Sequence, residues 1–521
     1  MRSVSTRRAI ALCASLAVLA ALPATATATS SQAEIDAAVG KAVEYVRAQQ
    51  KPELPGEPEL GAIPGFGGDW LATSLAAAGV DTANVHGPNP GDPSFQDYLL
   101  YEYTLPTWDE DPPGGTATEY ARSILVSHAA GLNPARLSAT SNQPAQLAGR
   151  WNPALGSFGE ASSYNTAFGI MAMKTAGLPT WALAPAVSFL RRNQHVDGGW
   201  TYGAALTPLA QAEASEEDIT GAAIAALCEA GVPAYDPAVT SALTYLHGRL
   251  VSGTGGFEYL WGEPNSDTNA WVLSGLTACG IDPQSAQWTA GGKTPIDFLL
   301  SLQVQAGEGA GGFGYEDASL ASLYSTQDAL RAIAGGVFTA DPQSVRPAPA
   351  VAAGTPVPHL LAIELAPGNV RLCKLTAPAG APLVQVLNAA KASSHPAGCV
   401  TSLAVAGGQV ASIDGVSPAG VDEAWLARLD HGSQALAAEQ PVGFGDLISL
   451  RLGTRPGGSH GVPGPAGDAG KAGAPGARGK RGSKGRPGRN ASISCKSRHR
   501  RSGKRRVHCT VTHREKGARR R

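Results

Sequence analysis

The side chains best placed for chemistry in this chain are carboxylates beside loops. Glu216, Glu217 and Asp218 stand in Glu-Glu-Asp-Ile-Thr, and Asp109 and Asp111 in Trp-Asp-Glu-Asp-Pro. Glycoside cleavage needs two carboxyl groups facing each other across a cleft, and nothing in the spacing fixes such a pair. A single acid that protonates its substrate needs hydrogen-bond support, which Ile219 does not give to Asp218. Asp218 is therefore a weak catalytic candidate. Its first reading, with Thr220, is as a helix N-cap, because Asn165-Thr166, Asp267-Thr268 and Ser325-Thr326 open other helices in the same register. His195 and His247 lack partners at zinc-ligand spacing and read as surface histidines, so no metal site is expected. The helix starts also offer polar groups for the amides of a bound small molecule, namely Tyr164, Asn165, Asp218, Thr220, Asp267, Asn269 and Gln327. Trp200, Trp261, Trp271, Tyr315 and Trp425 could supply flat apolar faces to the same ligand. The competing reading of every one of these residues is a cap or a core ring.

The elements that must position them follow a repeat. Between residues 36 and 340, helices rich in Ala and Leu end in Gly79, Gly131, Gly177, Gly231, Gly280 and Gly335, most of them followed by Val, Leu or Ile. Amphipathic partners are expected at residues 37–50, 181–194, 237–250 and 295–303, which makes six helical hairpins. The small, apolar second helices should be buried all round. With no polar capping repeat at either end, the array is expected to close into an all-α (α/α)6 double ring over 34–345.

The loop Phe189-Leu190-Arg191-Arg192-Asn193-Gln194-His195-Val196-Asp197-Gly198-Gly199-Trp200 has weaker copies at Tyr245-Leu246 with Gly255-Gly256-Phe257, and at Phe298-Leu299 with Gln303 and Gly311-Gly312-Phe313. These match the triterpene-cyclase repeat, and the region resembles the terpenoid cyclase and protein prenyltransferase toroids. That resemblance implies the double helical ring. The Asp-x-Asp-Asp-Thr acid of squalene-type cyclases, the zinc set of prenyltransferases and the Gly-Cys-Gly-Glu-Gln thioester motif have no counterpart here. An aromatic content of 6% is also low for a cage that steers carbocations.

Prolines at 347, 349, 356 and 358 mark a linker over 346–358, after which short β-like runs at 360–365, 409–413 and 447–452 and a helix at 382–391 form a small mostly-β domain at 359–453. Ala381-Pro382-Leu383-Val384-Gln385-Val386-Leu387, Val410-Ala411-Ser412-Ile413-Asp414-Gly415, Ala424-Trp425-Leu426 and Gly445-Asp446-Leu447-Ile448-Ser449-Leu450 make it resemble the C-terminal domain of transcobalamin and intrinsic factor. A toroid followed by this domain implies a ligand, cobalamin among the possibilities, held between the two.

The ends of the chain have their own signatures. Residues 1–28 read as an export signal, with Arg2, Arg7 and Arg8 before an apolar stretch and Ala-Thr-Ala cleavage sites. Glycine falls at every third position from Gly458 to Gly488, a collagen-like repeat over 458–490 that could serve as a stalk or join a homotrimer. A basic hairpin at 491–521 is expected to be tied by Cys495–Cys509, with Cys373–Cys399 as a second bridge and Cys228 with Cys279 either bridged or two buried thiols. From Lys471 onward there are 19 basic residues and one acid, whereas 22 basic and 41 acidic residues precede it. The acidic body excludes a nucleic-acid-binding role for itself, and the tail suits an anionic wall polymer or lipid headgroups. No later stretch is long and apolar enough to span a membrane. The sequence thus reads as a secreted or cell-surface ligand-binding protein. The alternatives are a secreted enzyme of the terpene cyclase or prenyltransferase type, recognisable by Asp218 facing a dry central cavity, and a structural adhesin, recognisable by a cavity filled with side chains.

Overall fold

The computed structural model describes residues 29–50, 68–86, 91–108, 116–392, 394–420, 422–429, 438–454, 491–499 and 505–513. The expected export signal, Asp109 and Asp111, and the stretch of Gly-x-y triplets lie outside the described residues.

Twelve helices of the described residues form the expected double ring. The outer members are α1 (Gln32–Ala48), α3 (Phe95–Glu102), α5 (Gln143–Ala148), α7 (Thr180–Arg192), α9 (Pro237–His247) and α11 (Pro295–Ser301). The inner members are α2 (Leu71–Ala77), α4 (Ala117–Ala129), α6 (Ser163–Thr175), α8 (Glu217–Glu229), α10 (Ser266–Ala278) and α12 (Leu323–Ile333). Each inner helix packs on the next, and α12 packs on α2, so the ring closes. Side chains fasten the closure: Ser74 Oγ donates to Gln327 O at 2.5 Å, and Gln303 Nε2 donates to Ala38 O at 2.8 Å.

All six punctuating glycines adopt positive φ. Each follows an inner helix, and the amide of the next residue reaches back across the last turn, as in Leu178 N to Met173 O at 2.8 Å and Val232 N to Leu227 O at 2.9 Å. The apolar residue after most of these glycines is the one that folds back under the helix. The loop motif has an equally specific cause. Gln194 Nε2 bridges Gly198 O at 2.7 Å and Ala238 O at 2.8 Å, tying its own turn to the next outer helix, and Gln303 does the same with Gly311 O and Ala38 O. Gly198 sits at φ +102, and a Cβ there would lie 2.5 Å from Ser241 O.

The chain then forms a five-stranded sheet, ordered β5-β4-β3-β9-β8, from β3 (Pro356–Ala366), β4 (Asn369–Pro378), β5 (Ser394–His395), β8 (Glu423–Leu429) and β9 (Leu447–Thr454). Only β3 and β9 run parallel. The toroid contributes a small pair, β1 (Trp151–Asn152) with β2 (Ser157–Phe158), and the second domain a hairpin, β6 (Leu403–Ala406) with β7 (Gln409–Ile413). The expected helix is α13 (Leu383–Ala392). Pro356 and Pro358 belong to β3 rather than to the linker. They are tolerated because β9 pairs with β3 only from Leu360 onward, leaving that edge without a hydrogen-bonding neighbour at the prolines.

Period-two alternation gives this sheet two buried faces. Leu360, Ala362, Val370, Leu372 and Leu447 join the toroid core, while Leu361, Ile363, Cys373, Leu375, Ile448 and Leu450 pack with α13 in a core of their own. The seam is further held by Asn142 Nδ2 to Pro358 O at 3.0 Å, Trp151 Nε1 to Val370 O at 3.1 Å and an Arg136–Asp446 ion pair at 2.7 Å. Two disulfides are present among the described residues. Cys373–Cys399 matches the expectation, and Cys228–Cys279 resolves the pair left open by the sequence, joining the C-terminal ends of α8 and α10. A separate unit, residues 459–521, contains the hairpin β10 (Ala491–His499) and β11 (Arg505–His513), whose register sets Cys495 opposite Cys509.

Candidate functional site at the mouth of the helical ring

The N-terminal caps are not where the sequence suggested. Ser162, Asn265 and Ser322 cap α6, α10 and α12, accepting from the amides of Asn165, Thr268 and Ser325 respectively. Glu216 occupies the cap position of α8 without a capping side-chain bond. Thr220, Asn269 and Thr326 instead hold the loops: each accepts the amide of the loop aromatic, from Trp200 at 3.0 Å, Phe257 at 2.7 Å and Phe313 at 2.9 Å. Each also donates to the carbonyl four residues earlier. These are structural duties, repeated around the ring.

Two residues before each of these anchors, and before Thr166 at the matching place on α6, stands a side chain that is neither cap nor anchor. These are Tyr164 on α6, Asp218 on α8, Asp267 on α10 and Tyr324 on α12. One position per repeat is thus presented at the end of the ring where the inner helices begin. The groups converge. The charges of Asp218 and Asp328 act on Tyr164, and those of Asp328, Asp267 and Asp218 on Tyr324. Arg122 on α4, paired at 3.0 Å with Asp69 in the turn before α2, adjoins Tyr164, so five inner helices and the turn leading into the sixth contribute. Tyr315 and Tyr202 stand half-exposed in the loops above, Tyr202 stacked on Tyr164 at 4.9 Å.

Burial sets the protonation of this rim. It raises the phenol of Tyr164 to about 12, with Tyr202 adding to the shift, and that of Tyr315 to about 12. It pushes the Asp218 carboxyl up. Asp267 is raised to about 7, first by burial and then by the neighbouring charge of Asp328. Asp328, itself buried, accepts from Arg331 at 2.6 Å and Trp271 Nε1 at 3.1 Å. At neutral pH the rim therefore carries phenolic O–H groups and a carboxyl that still holds part of its proton, all able to donate hydrogen bonds.

Below the rim, rings fill the bore. Phe168 lies 5.0 Å from Tyr164, 5.4 Å from Trp271, 5.1 Å from Phe338 and 5.7 Å from Trp70, mostly edge to face. Arg331 lies over Phe338 at 4.2 Å. Asp218 acts on Tyr164, whose ring heads this cluster.

Of the residues singled out in the sequence, Tyr164, Asp218, Asp267, Trp271 and Tyr315 meet at this mouth. Asn165 is beside it, accepting from Thr118 Oγ1 at 2.5 Å. Trp200 is fully buried with Nε1 on Leu190 O, Thr220 and Asn269 are loop anchors, and Gln327 is buried at the α12–α2 contact. Trp261 is 72% exposed, over a separate cleft with His195 and Leu260. Trp425 lies in the core of the second domain, its Nε1 on Val416 O at 3.3 Å. His195 is a correction, being buried between Glu213 O and Thr201. Glu217 is buried under Tyr245, Arg249 and the Leu260 amide, where it fastens a loop. The sequence reading missed Tyr324, Asp328 and Arg122. Counting two residues back from the Thr or Asn anchor of each repeat would have found Tyr324; Asp328 and Arg122 need the ring to be closed.

The seam between the two domains is elsewhere. It runs along the C-terminal ends of α4 and α6, and the clefts there are lined by residues such as Arg136, Asn142, Trp181 and Arg451, none of them a residue of the rim. Groups that could jointly hold a metal ion are absent among the described residues, and no described helix is long and apolar enough to cross a membrane.

No protein-family model and no curated protein matches the chain. Among solved structures it is similar to haptocorrin in complex with Cbi, at 10% identity and TM-score 0.34 over 81% of this chain and 97% of that one. It is also similar to the type II terpene cyclase MstE from Scytonema, at 15% identity and TM-score 0.40 over 58% and 98% of the two chains. A third is ent-copalyl diphosphate synthase from Streptomyces platensis, at 17% identity and TM-score 0.35 over 52% of this chain and 50% of that one. Both kinds of protein suggested by the sequence, transcobalamin-like and terpene-cyclase-like, are thus represented. The functional reading rests on the chain's own residues.

Proposed function

We propose that the chain is an exported binding protein that takes a neutral, amphipathic small molecule on the mouth of the helical ring. The observation that carries this reading is the placement of Tyr164, Asp218, Asp267 and Tyr324 at one equivalent position of four successive inner helices. Hydrogen-bond donors around a rim, with the Trp271 and Tyr164 rings between them, suit a flat ligand edged with amides, such as a corrinoid. A long isoprenoid chain would need depth that Phe168, Phe338 and Trp70 occupy. The basic tail would retain the protein on an anionic wall polymer or lipid surface through contacts weakened by salt.

The test is calorimetric titration of the full chain with cobalamin. Saturable one-to-one heat, weakened about tenfold in Tyr164→Phe or Asp267→Asn, supports the reading. Absence of heat removes the corrinoid, and unaltered heat in both variants moves the site away from the rim.

One observation favours a second reading, catalysis by proton donation. Asp267 keeps its proton near neutral pH beside Trp271, and ring faces of that kind stabilise cations. Turnover of a polyprenyl substrate that is lost in Asp267→Asn would establish it. A chain that neither binds nor turns over any such compound is the structural adhesin of the third alternative, and its packed bore agrees with that role.

A further inference from the structure

The seam between the domains holds a set of cations without an ion-pair partner among the described residues. On β8 and β9 the residues facing the toroid are Leu426 and Arg428, and Ser449 and Arg451, paired Leu426 with Arg451 and Arg428 with Ser449. Nearer the centre of the sheet the same face carries Leu360, Ala362 and Leu447, which fill the joint with apolar surface. At the β8 edge the apolar pattern gives way to two arginines. They overhang a groove of about 290 Å³ whose other wall is Lys174, Gly177, Leu178, Pro179, Thr180 and Trp181.

Among the described residues no acid lines this groove. Lys174, in the last turn of α6, complements that helix end. Arg428 is half-buried and Arg451 exposed, at the β8 edge of the sheet. Neither is within ion-pair distance of a carboxylate among the described residues, and the Arg451 guanidinium lies 5.9 Å from the Trp181 ring. The carboxylate on the adjoining strand, Glu364, sits opposite Arg451 in the parallel register but accepts from the Gly368 amide at 3.2 Å.

Two further features face the same way. α7 begins at Pro179, which supplies no capping side chain, so the positive end of a 13-residue helix is open to the groove. Two guanidinium groups and the open helix start thus border one groove, an arrangement that favours an anion between them. Ser449 is only 5% exposed, lines the groove, and its hydroxyl makes no hydrogen bond among the described residues. An oxyanion in the groove would supply this hydroxyl with an acceptor.

We infer that this groove is an anion site at the domain joint, taking a phosphate group, free or as a phosphomonoester, between Arg428, Arg451, Ser449 and the first turn of α7. Two guanidinium forks and a hydroxyl match the several oxygens of a tetrahedral oxyanion. The groove is larger than the group itself, and the Trp181 face borders the space where an attached ester would lie. Because the anion would touch one domain through its strands and the other through its helix, its binding would stiffen the joint. The site is distinct from the rim and does not depend on what the rim binds.

The experiment uses the full chain, titrated with inorganic phosphate and separately with glycerol phosphate up to roughly 10 mM at constant ionic strength, with thermal stability and tryptophan fluorescence as readouts. Saturable stabilisation with a change in fluorescence is expected, and Arg428→Met and Arg451→Met should each raise the apparent Kd at least about tenfold. Ser449→Ala should raise it by a few-fold. Without phosphate the two Arg variants should melt close to the parent, since Arg451 is exposed, Arg428 is half-buried and neither is ion-paired among the described residues, and this shows that they fold. Stronger binding of glycerol phosphate identifies an ester as the ligand, and equal binding identifies free phosphate. An identical response in the parent and both Arg variants would place the anion on the basic tail and overturn the site, as would no response at all.

Discussion

Replacing Asp267 by Asn should stabilise the protein at pH 8 and barely change it at pH 4. Asp267 is held at about 7 by burial and by the charge of Asp328, against 3.8 for an ordinary aspartate. An acid raised in the folded state gives up its proton more readily when the chain unfolds, so stability falls as pH rises from the unfolded pKa to the folded one. The window is therefore about pH 4 to 7. The full shift corresponds to a ceiling on the order of 4 kcal/mol at pH 8. Asn keeps a side-chain oxygen for the bond that Ser266 Oγ donates at 2.7 Å, so little else changes. The assay is urea denaturation of parent and variant across this range, followed by tryptophan fluorescence. A difference that grows from well under about 1 kcal/mol at pH 4 to several at pH 8 agrees with the mechanism. A difference independent of pH would show that the Asp267 carboxyl is not raised, and a variant less stable at pH 8 that its anion is favourably held; either result would refute the reasoning.

Other outcomes follow from the same geometry. His359 is buried in β3 and depressed to about 4, so stability should fall by about 3 kcal/mol as pH drops from 6.5 to 4, and His359→Leu should abolish that part of the acid sensitivity in denaturation curves. Substituting Cys228 and Cys279 by Ser opens a loop with a sequence separation of 51, for which chain entropy predicts a loss of up to about 4 kcal/mol, measured under oxidising conditions. Gln303→Ala removes two buried hydrogen bonds that tie α1 to the last loop and should cost about 2 to 3 kcal/mol, with amide exchange quickening first in α1.

The sequence determined the ring because its signals are local. A glycine at positive φ after each inner helix, and the Gln and paired glycines of the loop, are demanded by hydrogen bonds spanning a few residues or by contact with the next repeat. They were legible as punctuation. The strands around Leu361 and Ile448 were legible too, since both faces of that sheet are buried and the runs are nearly all apolar. Cys228 with Cys279 could not be decided in advance, because whether they bond depends on how α8 and α10 pack. The same holds for the caps. Ser162, Asn265 and Ser322 look no different from their neighbours until the helix start is fixed to within a residue, and a shift of two or three residues turned supposed caps into rim groups and loop anchors. Only the tertiary structure set Tyr164, Asp267 and Tyr324 around one opening and sent Trp425 to another core, because ring closure brings together residues more than a hundred positions apart. It alone also placed Arg428 and Arg451 against the start of α7, since the pairing of β8 with β9 and the docking of that sheet on the ring are fixed by burial of apolar faces far from either arginine.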